Sequence, residues 1–392
     1  MTAVQPTDLP PASSTSPRAD HTHVAAPRWA RLALPAALTW SFAMVIWALT
    51  WALGWLPHPF SVAEQVAIGA VLNAYDPAVG ISIVVAIGAL GTVTALAGLR
   101  RAAGRRTHRI LVVVAWVLTA VLALVMVNGN LLSLLGYALV VPVLGWFEPG
   151  MPADFLRAAV EPGVLFVMGS TIGALLWGAV GLAGHRMLRH ACIACGHLDG
   201  WDHNASAARR TRAQRVGRIA VATAVVMALT YPAARLPWLF GIPAGMDASS
   251  WAQLQASGGH RSGIGLGLAA IAGALLMTGL TGRWGERFPR WMVGLAGRRV
   301  PISLAVVPAA TVALALIATG RGILPTIIAG DSLVSSSWLQ AAPFVAMIPW
   351  GIALAVATAA YVVRRQGVCD RCGSNEKRSL STAPTVESRS RP

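Results

Sequence analysis

Eight runs of about twenty apolar residues, each long enough to span a ~30 Å hydrocarbon layer, punctuate this chain. They fall at roughly 33–55, 78–99, 110–130, 163–184, 218–238, 263–282, 301–320 and 342–363. Lipid offers no partners for backbone N–H and C=O groups, so each run is expected to be a helix that satisfies its own. Composition agrees: 55% of the 392 residues are apolar and 12% are charged, against about 25% charged in an average soluble domain. The fold class expected is an all-α polytopic membrane protein with about eight transmembrane helices. A further apolar run, 131–147, follows Asn128, Gly129 and Asn130. It reads as a helix lying at, or dipping into, the outer face, with a ninth crossing as the alternative.

Charge placement sets the expected orientation. With eight spans and the N-terminus inside, 27 of the 31 Lys and Arg residues fall on the cytoplasmic side, while Arg157, Arg261 and Arg321 fall in outer loops and Arg235 near the outer end of the fifth span. The acids divide almost evenly, eight inside and seven outside. This is the positive-inside pattern, in which Lys and Arg resist translocation and acids matter little. A ninth crossing would invert the C-terminal half and oppose it. The expectation is a multi-pass protein of the cell (plasma) membrane with both termini cytoplasmic. The net charge of +16 then belongs to the membrane surface, and nucleic acid is not an expected partner. No cleavable signal peptide is expected, and residues 1–27 and 374–392 read as disordered cytoplasmic tails.

The chain also repeats itself. Ala48-Leu49-Thr50 and Leu56-Pro57 match Ala228-Leu229-Thr230 and Leu236-Pro237 at an offset of 180; Gly80-Ile81 and Arg100 match Gly263-Ile264 and Arg283 at 183; the Ala-Gly-Arg-Arg runs at Ala103 and Ala296 match at 193. A fourth match, at 177, pairs Cys192-Ile193-Ala194-Cys195-Gly196 with Cys369-Asp370-Arg371-Cys372-Gly373. Each match is weak alone, but their order and near-constant offset predict two copies of one unit. The expected division is a first four-helix repeat over 28–199, a cytoplasmic linker over 200–217 and a second four-helix repeat over 218–373. With four spans each, the copies are parallel. The second copy lacks the 131–147 run.

These two cysteine pairs hold every thiol in the chain. Both lie just beyond the inner ends of the fourth and eighth spans, in a reducing compartment where structural disulfides are rare. Parallel repeats would place them on one face, and four thiolates are the ligand set of a tetrahedral structural zinc. The candidate metal ligands are therefore Cys192, Cys195, Cys369 and Cys372. Reversible dithiols, a redox-sensing disulfide or unbound cysteines remain the other readings. His185, His190, His197 and His203 surround the first pair and could replace a cysteine, and Arg364, Arg365 and Arg371 beside the second would favour thiolates. The two Cys-x-x-Cys-Gly stretches resemble the knuckles of zinc-ribbon proteins, which implies the coordination alone. The whole chain resembles uncharacterised multi-pass integral membrane proteins common in actinobacteria, a resemblance that implies no activity.

Other signals are weaker. Residues 283–299 mix Trp284, Phe288, Trp291 and Leu295 with five arginines, as an amphipathic stretch against anionic lipid of the inner leaflet would. None of the spans contains Asp or Glu, the usual mark of proton coupling. Arg235 is expected to snorkel or to pair with an outer acid such as Asp247. His58, Glu64, Asp76, Glu148, Asp154, Glu161, Asp247, His260 and Asp331 read as scattered loop residues, and no nucleophile, nucleotide or haem motif accompanies them. Two function classes follow: a non-enzymatic scaffold, regulator or small-solute carrier with a zinc joining its repeats, or a membrane enzyme or thiol-redox protein using the Cys pairs or the outer His and carboxylates. The lipid bilayer is the expected partner, and no catalytic residue is nominated.

Overall fold

The computed structural model describes residues 26–60, 69–100, 104–196, 203–288, 296–328 and 337–365, with Arg290 and Gly294. The expected tails and the Cys369–Cys372 pair lie outside the described residues. Twelve α-helices are described: α1 Arg28–Ala52, α2 Pro77–Leu99, α3 Arg105–Val121, α4 Gly129–Leu144, α5 Met151–Ala159, α6 Pro162–Leu188, α7 His203–Arg235, α8 Ala248–Ala256, α9 Gly259–Thr278, α10 Ile302–Ile328, α11 Trp338–Val345 and α12 Met347–Arg365. Eight helical stretches are long and apolar enough to cross a membrane, one for each apolar run of the sequence. The protein is thus a multi-pass, all-helical chain.

Many large apolar side chains point outward and many contacts between helices are made by small ones, although Met44, Trp51 and Trp177 are buried. Leu32, Phe42, Ile46 and Leu49 on α1 are exposed, whereas Ala33, Ala37, Ser41 and Ala48 are buried. Exposed Leu and Phe suit a lipid solvent, while small residues let backbones approach. On α2 the buried face is Gly80, Val84, Gly88, Gly91, Thr94 and Ala95. A Cβ at Gly88 would lie 2.7 Å from Val45 Cγ2 and one at Gly91 2.4 Å from Ser41 Oγ, so α1 and α2 meet where a side chain has no room. Gly173 and Gly184 do the same for α6, against Trp40 and Val112. In the second half Gly351 of α12 lies against Ala313 and Ile317 of α10.

The two halves share most of their packing order, although α2 also lies against α3 and α9 has no comparable contact with α10. Helix α1 lies against α2 and α6, and α3 against α6; helix α7 lies against α9 and α12, and α10 against α12. In each half the first span touches the second and fourth, and the third touches the fourth.

Helix α4 carries the 131–147 run. The helical path of α3 ends in a π-helical turn, Leu122–Met126, and extended backbone at Val127 and Asn128 breaks it. Asn128 Oδ1 then accepts the Asn130 N–H at 3.0 Å and starts α4. At 16 residues and ~1.5 Å per residue, α4 is too short for a ninth crossing. It packs against α9 and α10 of the second half and α6 of the first, and keeps Leu139 and Val143 exposed. A Cβ at Gly136 would lie 2.6 Å from Leu266 Cδ2, and Val127, Leu131, Val167, Ala315 and Ala318 form a small core between the halves.

Three other boundaries differ from the sequence reading. The 200–217 linker is helical from His203 and forms the first turns of α7. Arg321 is not in a loop, since α10 continues to Ile328. Residues 286–300 double back on themselves, with Phe288 N–H donating to Arg298 O at 3.0 Å and Val300 N–H to Glu286 O at 3.0 Å. Trp284 lies over Gly279 and Gly282, the Tyr361 hydroxyl donates to Gly285 O at 2.8 Å, and Arg364 pairs with Glu286 at 3.1 Å. The stretch is therefore docked on the end of α12; Trp291 and Leu295 lie outside the described residues.

Candidate binding cavity and the Cys192 knuckle

At the arginine-rich end of the bundle, α6 stops at Leu188 and the chain turns through His190, whose φ is 52°. The Gly196 N–H donates to Cys192 O at 2.7 Å, and Gly196 has φ +78°, a backbone state that glycine adopts without strain. Arg186, one turn inside α6, donates from Nη1 to Ile193 O at 2.6 Å and to Ala194 O at 3.2 Å. Its guanidinium lies 6.0 Å from the ring of Trp29 on α1. The turn is thus clamped to two helix ends, with Cys195 buried and Cys192 half-buried. Arg186 was not singled out from sequence, although its position one turn before a helix end is where a cation meets free carbonyls.

Among the described residues no three of His, Cys, Asp and Glu come together as a metal cluster. His185 and His190 do not assemble with Cys192 and Cys195, and the His197 and His203 side chains lie outside the described residues. The Arg364 and Arg365 guanidiniums donate to Thr281 O at 3.0 Å and to Val300 O at 2.7 Å.

At the opposite end the acids have local tasks. Asp76 Oδ1 accepts the Ala78 N–H at 2.8 Å and Asp247 Oδ1 the Ser250 N–H at 2.8 Å, each capping a helix. Glu148 pairs with Arg261 at 2.6 Å and Asp154 with Arg157 at 3.1 Å. Glu64 and Asp331 lie outside the described residues. Among the described residues Arg235 pairs with no acid. It is buried, donates to Gln340 Oε1, and lies 4.4 Å from the Trp238 ring centre and 5.3 Å from that of Tyr231. Gln340 Nε2 in turn donates to Ala244 O at 2.8 Å. Sequence reasoning looked for a carboxylate and missed an amide and aromatic faces, which also stabilise a desolvated cation.

Between the halves lies a cavity of about 870 Å³, walled by both of them. One part of its wall is polar: His58, Asn73, Asn128, Asn130, Ser133 and Glu161 come from the loop after α1, the start of α4 and the residue before α6. The rest is mainly apolar and comes from both halves, with Phe60, Leu72, Leu132, Leu135 and Phe166 of the first and Leu266, Ala270, Leu276, Val312, Leu316 and Phe344 of the second, which also adds Tyr231 and Thr319. The polar part is held in place by the first half's loop reaching across: Arg321 of α10 donates to Gly69 O at 3.0 Å, and a Cβ at Gly69 would lie 3.0 Å from Ala318 O. His58 Nδ1 is buried with no hydrogen-bond partner among the described residues. Glu161 is exposed and makes no side-chain cap bond to α6. A Cβ at Gly273, also in the wall, would meet nothing within 4 Å. Volume, concavity and the mix of an apolar wall with few polar groups are those of a small-molecule site. No family model, curated protein or solved structure matches the chain.

Proposed function

We propose that this is a non-enzymatic, multi-pass plasma-membrane protein that binds a small amphipathic solute between two four-helix repeats, as a carrier or as a solute-responsive regulator. The observation that carries the reading is the cavity between the halves, built from both and closed at one side by α4, the helix that the second half lacks. Parallel repeats with a binding site at their interface are a recurrent transporter plan. Duplication is supported by the mostly shared packing order and by local detail: Ala48 and Ala228 are both fully buried, and Thr50 and Thr230 donate to Trp47 O at 2.7 Å and to Met227 O at 2.6 Å.

In this reading the arginine-rich end is cytoplasmic, where the docked 283–300 segment faces anionic lipid, and the α4 end is external. The turn at Cys192 and Cys195 fits half of a zinc knuckle: its glycine conformation and its clamp on α6 are in place. Zinc shared with Cys369 and Cys372 would supply a rigid tie between the repeats, and four protein ligands leave no position open for catalysis. A thiol-redox role for the same pairs is the second reading. Metal analysis of the purified chain separates them: about one zinc per chain with no titratable thiol supports the tie, and metal-free protein with reactive dithiols supports redox chemistry.

The test of the binding reading is extraction of bound molecules from purified protein and from Gly273→Leu, which places a side chain in open cavity space. A co-purifying amphiphile in the wild type that is lost in the variant supports it. No bound molecule in either, or retention in Gly273→Leu, overturns it.

A further inference from the structure

The one charged side chain among the described lining residues points to the chemical class of the ligand. We infer that the cavity takes a single-chain amphiphile with a cationic, hydrogen-bond-donating headgroup, its ammonium at Glu161 and its chain against α9 and α10. The inference rests on the reading of this cavity as a binding site and adds the identity of the headgroup. Among the described lining residues Glu161 is the one Asp, Glu, Lys or Arg side chain. Its carboxylate is not taken up by the helix that follows it, so it is available to a ligand.

Around it the groups are neutral: Asn73 and Asn130 contribute side-chain amides, Asn128 an amide whose oxygen already accepts the Asn130 N–H, Ser133 a hydroxyl, and His58 a ring nitrogen with no hydrogen-bond partner among the described residues. An ammonium has donors and no acceptor, so its countercharge here is the Glu161 carboxylate and the neutral groups add acceptors. A phosphate or carboxylate headgroup needs a cation, and no Lys or Arg is among the described lining residues. Arg235 is enclosed by Gln340 and the rings of Tyr231, Trp238 and Phe344. An anionic headgroup would therefore lie beside Glu161 with no countercharge, at a cost that grows with exclusion of water.

The apolar wall fixes the other end. Leu266, Ala270, Leu276, Val312 and Leu316 offer no hydrogen bond, so a polar solute filling this volume would leave buried groups unpaired. A hydrocarbon chain loses nothing there. The same helices present Leu275, Leu304 and Val307 on exposed faces, so the chain and the surrounding lipid are chemically alike.

The experiment is photo-crosslinking of the full-length protein in phosphatidylcholine nanodiscs with three diazirine-bearing probes of equal chain length: a primary amine, an alcohol and a carboxylate. Labelled peptides are mapped by mass spectrometry. The amine is expected to label α9 and α10 about tenfold more than the carboxylate, the ratio that one charge-assisted contact supplies. Glu161→Gln is expected to bring the amine down to the alcohol, and Gly273→Leu, or the milder Gly273→Ala if the leucine variant misfolds, to reduce labelling by all three. Equal labelling by amine and carboxylate, or an amine preference untouched by Glu161→Gln, overturns the headgroup assignment while the cavity reading stands. Labelling that maps elsewhere, or that ignores both Gly273 variants, overturns the cavity reading itself.

Discussion

Trp177 on α6 donates its indole N–H to Ser41 Oγ on α1 at 3.2 Å, and both side chains are fully buried. Gly91 of α2 lies against the same pair, with a Cβ there 2.4 Å from Ser41 Oγ and 3.2 Å from Trp177 Cζ2. Three helices of the first half therefore meet at one polar contact, whose geometry depends on the absence of a side chain at Gly91. Ser41→Ala is expected to cost about 1 kcal/mol, typical of an interhelical hydrogen bond in lipid. Gly91→Ala should cost about 1–3 kcal/mol, because Ser41 must rotate away and abandon Trp177. The double variant should be less destabilised than the sum. Thermal unfolding in one detergent checks all three, and strict additivity would contradict a shared contact.

A second prediction concerns Arg235. Gln340→Leu removes the oxygen that accepts from a buried guanidinium and leaves the charge in place, for an expected loss of about 3 kcal/mol. Arg235→Met removes the charge and keeps much of the volume, so it should be milder. By contrast Glu148→Gln acts on an exposed pair and should cost under about 1 kcal/mol. Melting temperatures ordered Gln340→Leu below Arg235→Met, and Arg235→Met below Glu148→Gln, are expected; a reversal of the first two would show that the charge itself, and not its unpaired state, matters.

The pH dependence of α8 has a definite sign. Hydrogen bonds from the Ser249 and Ser250 hydroxyls and from the Ser250 N–H hold the Asp247 carboxyl well below the usual carboxylate range. A depressed folded-state pKa stabilises above the unfolded value, about 4, and that stabilisation fades as pH falls through the folded value. Amide protection of α8, corrected for intrinsic exchange, should be flat from about pH 8 to 5 and decline only below about 4. Asp247→Ala should lower the plateau and abolish the acid decline, and protection that falls between about pH 7 and 5 would point to another titrating group.

If the two Cys pairs hold one zinc, Cys192→Ser and Cys369→Ser should lower the melting temperature by similar amounts, and the double variant should be little worse than either. Loss of one ligand already disables a shared site, and binding free energy for such sites is large, of order 10 kcal/mol in small peptides. Additive losses, measured with the zinc content of each variant, would indicate separate dithiols.

Much of this architecture is legible in the sequence. A segment in lipid must bond its own backbone, so about twenty apolar residues have one solution, and each of the eight runs is helical, although α7 starts well before and α10 ends well after the expected bounds. Helix N-caps at Asp76 and Asp247, and the break at Asn128, are local consequences of short polar side chains beside a chain turn. The Gly196 turn likewise follows from the five residues that form it.

What tertiary structure alone decided are the contacts between residues far apart in the chain. Periodicity says that 131–147 is apolar, but only packing against Leu266 and Ala315 shows that one side of α4 fills the seam between the halves. Charge says that Arg235 needs a partner, but an amide 105 residues away supplies it in place of the nearby acid. His58 and Glu161 read as scattered loop residues; they share a wall because the Gly69 loop reaches Arg321 and the start of α4 falls beside the start of α6. Helix formation is a local equilibrium that each segment settles for itself, whereas a cavity exists only where several segments fail to fill the space between them.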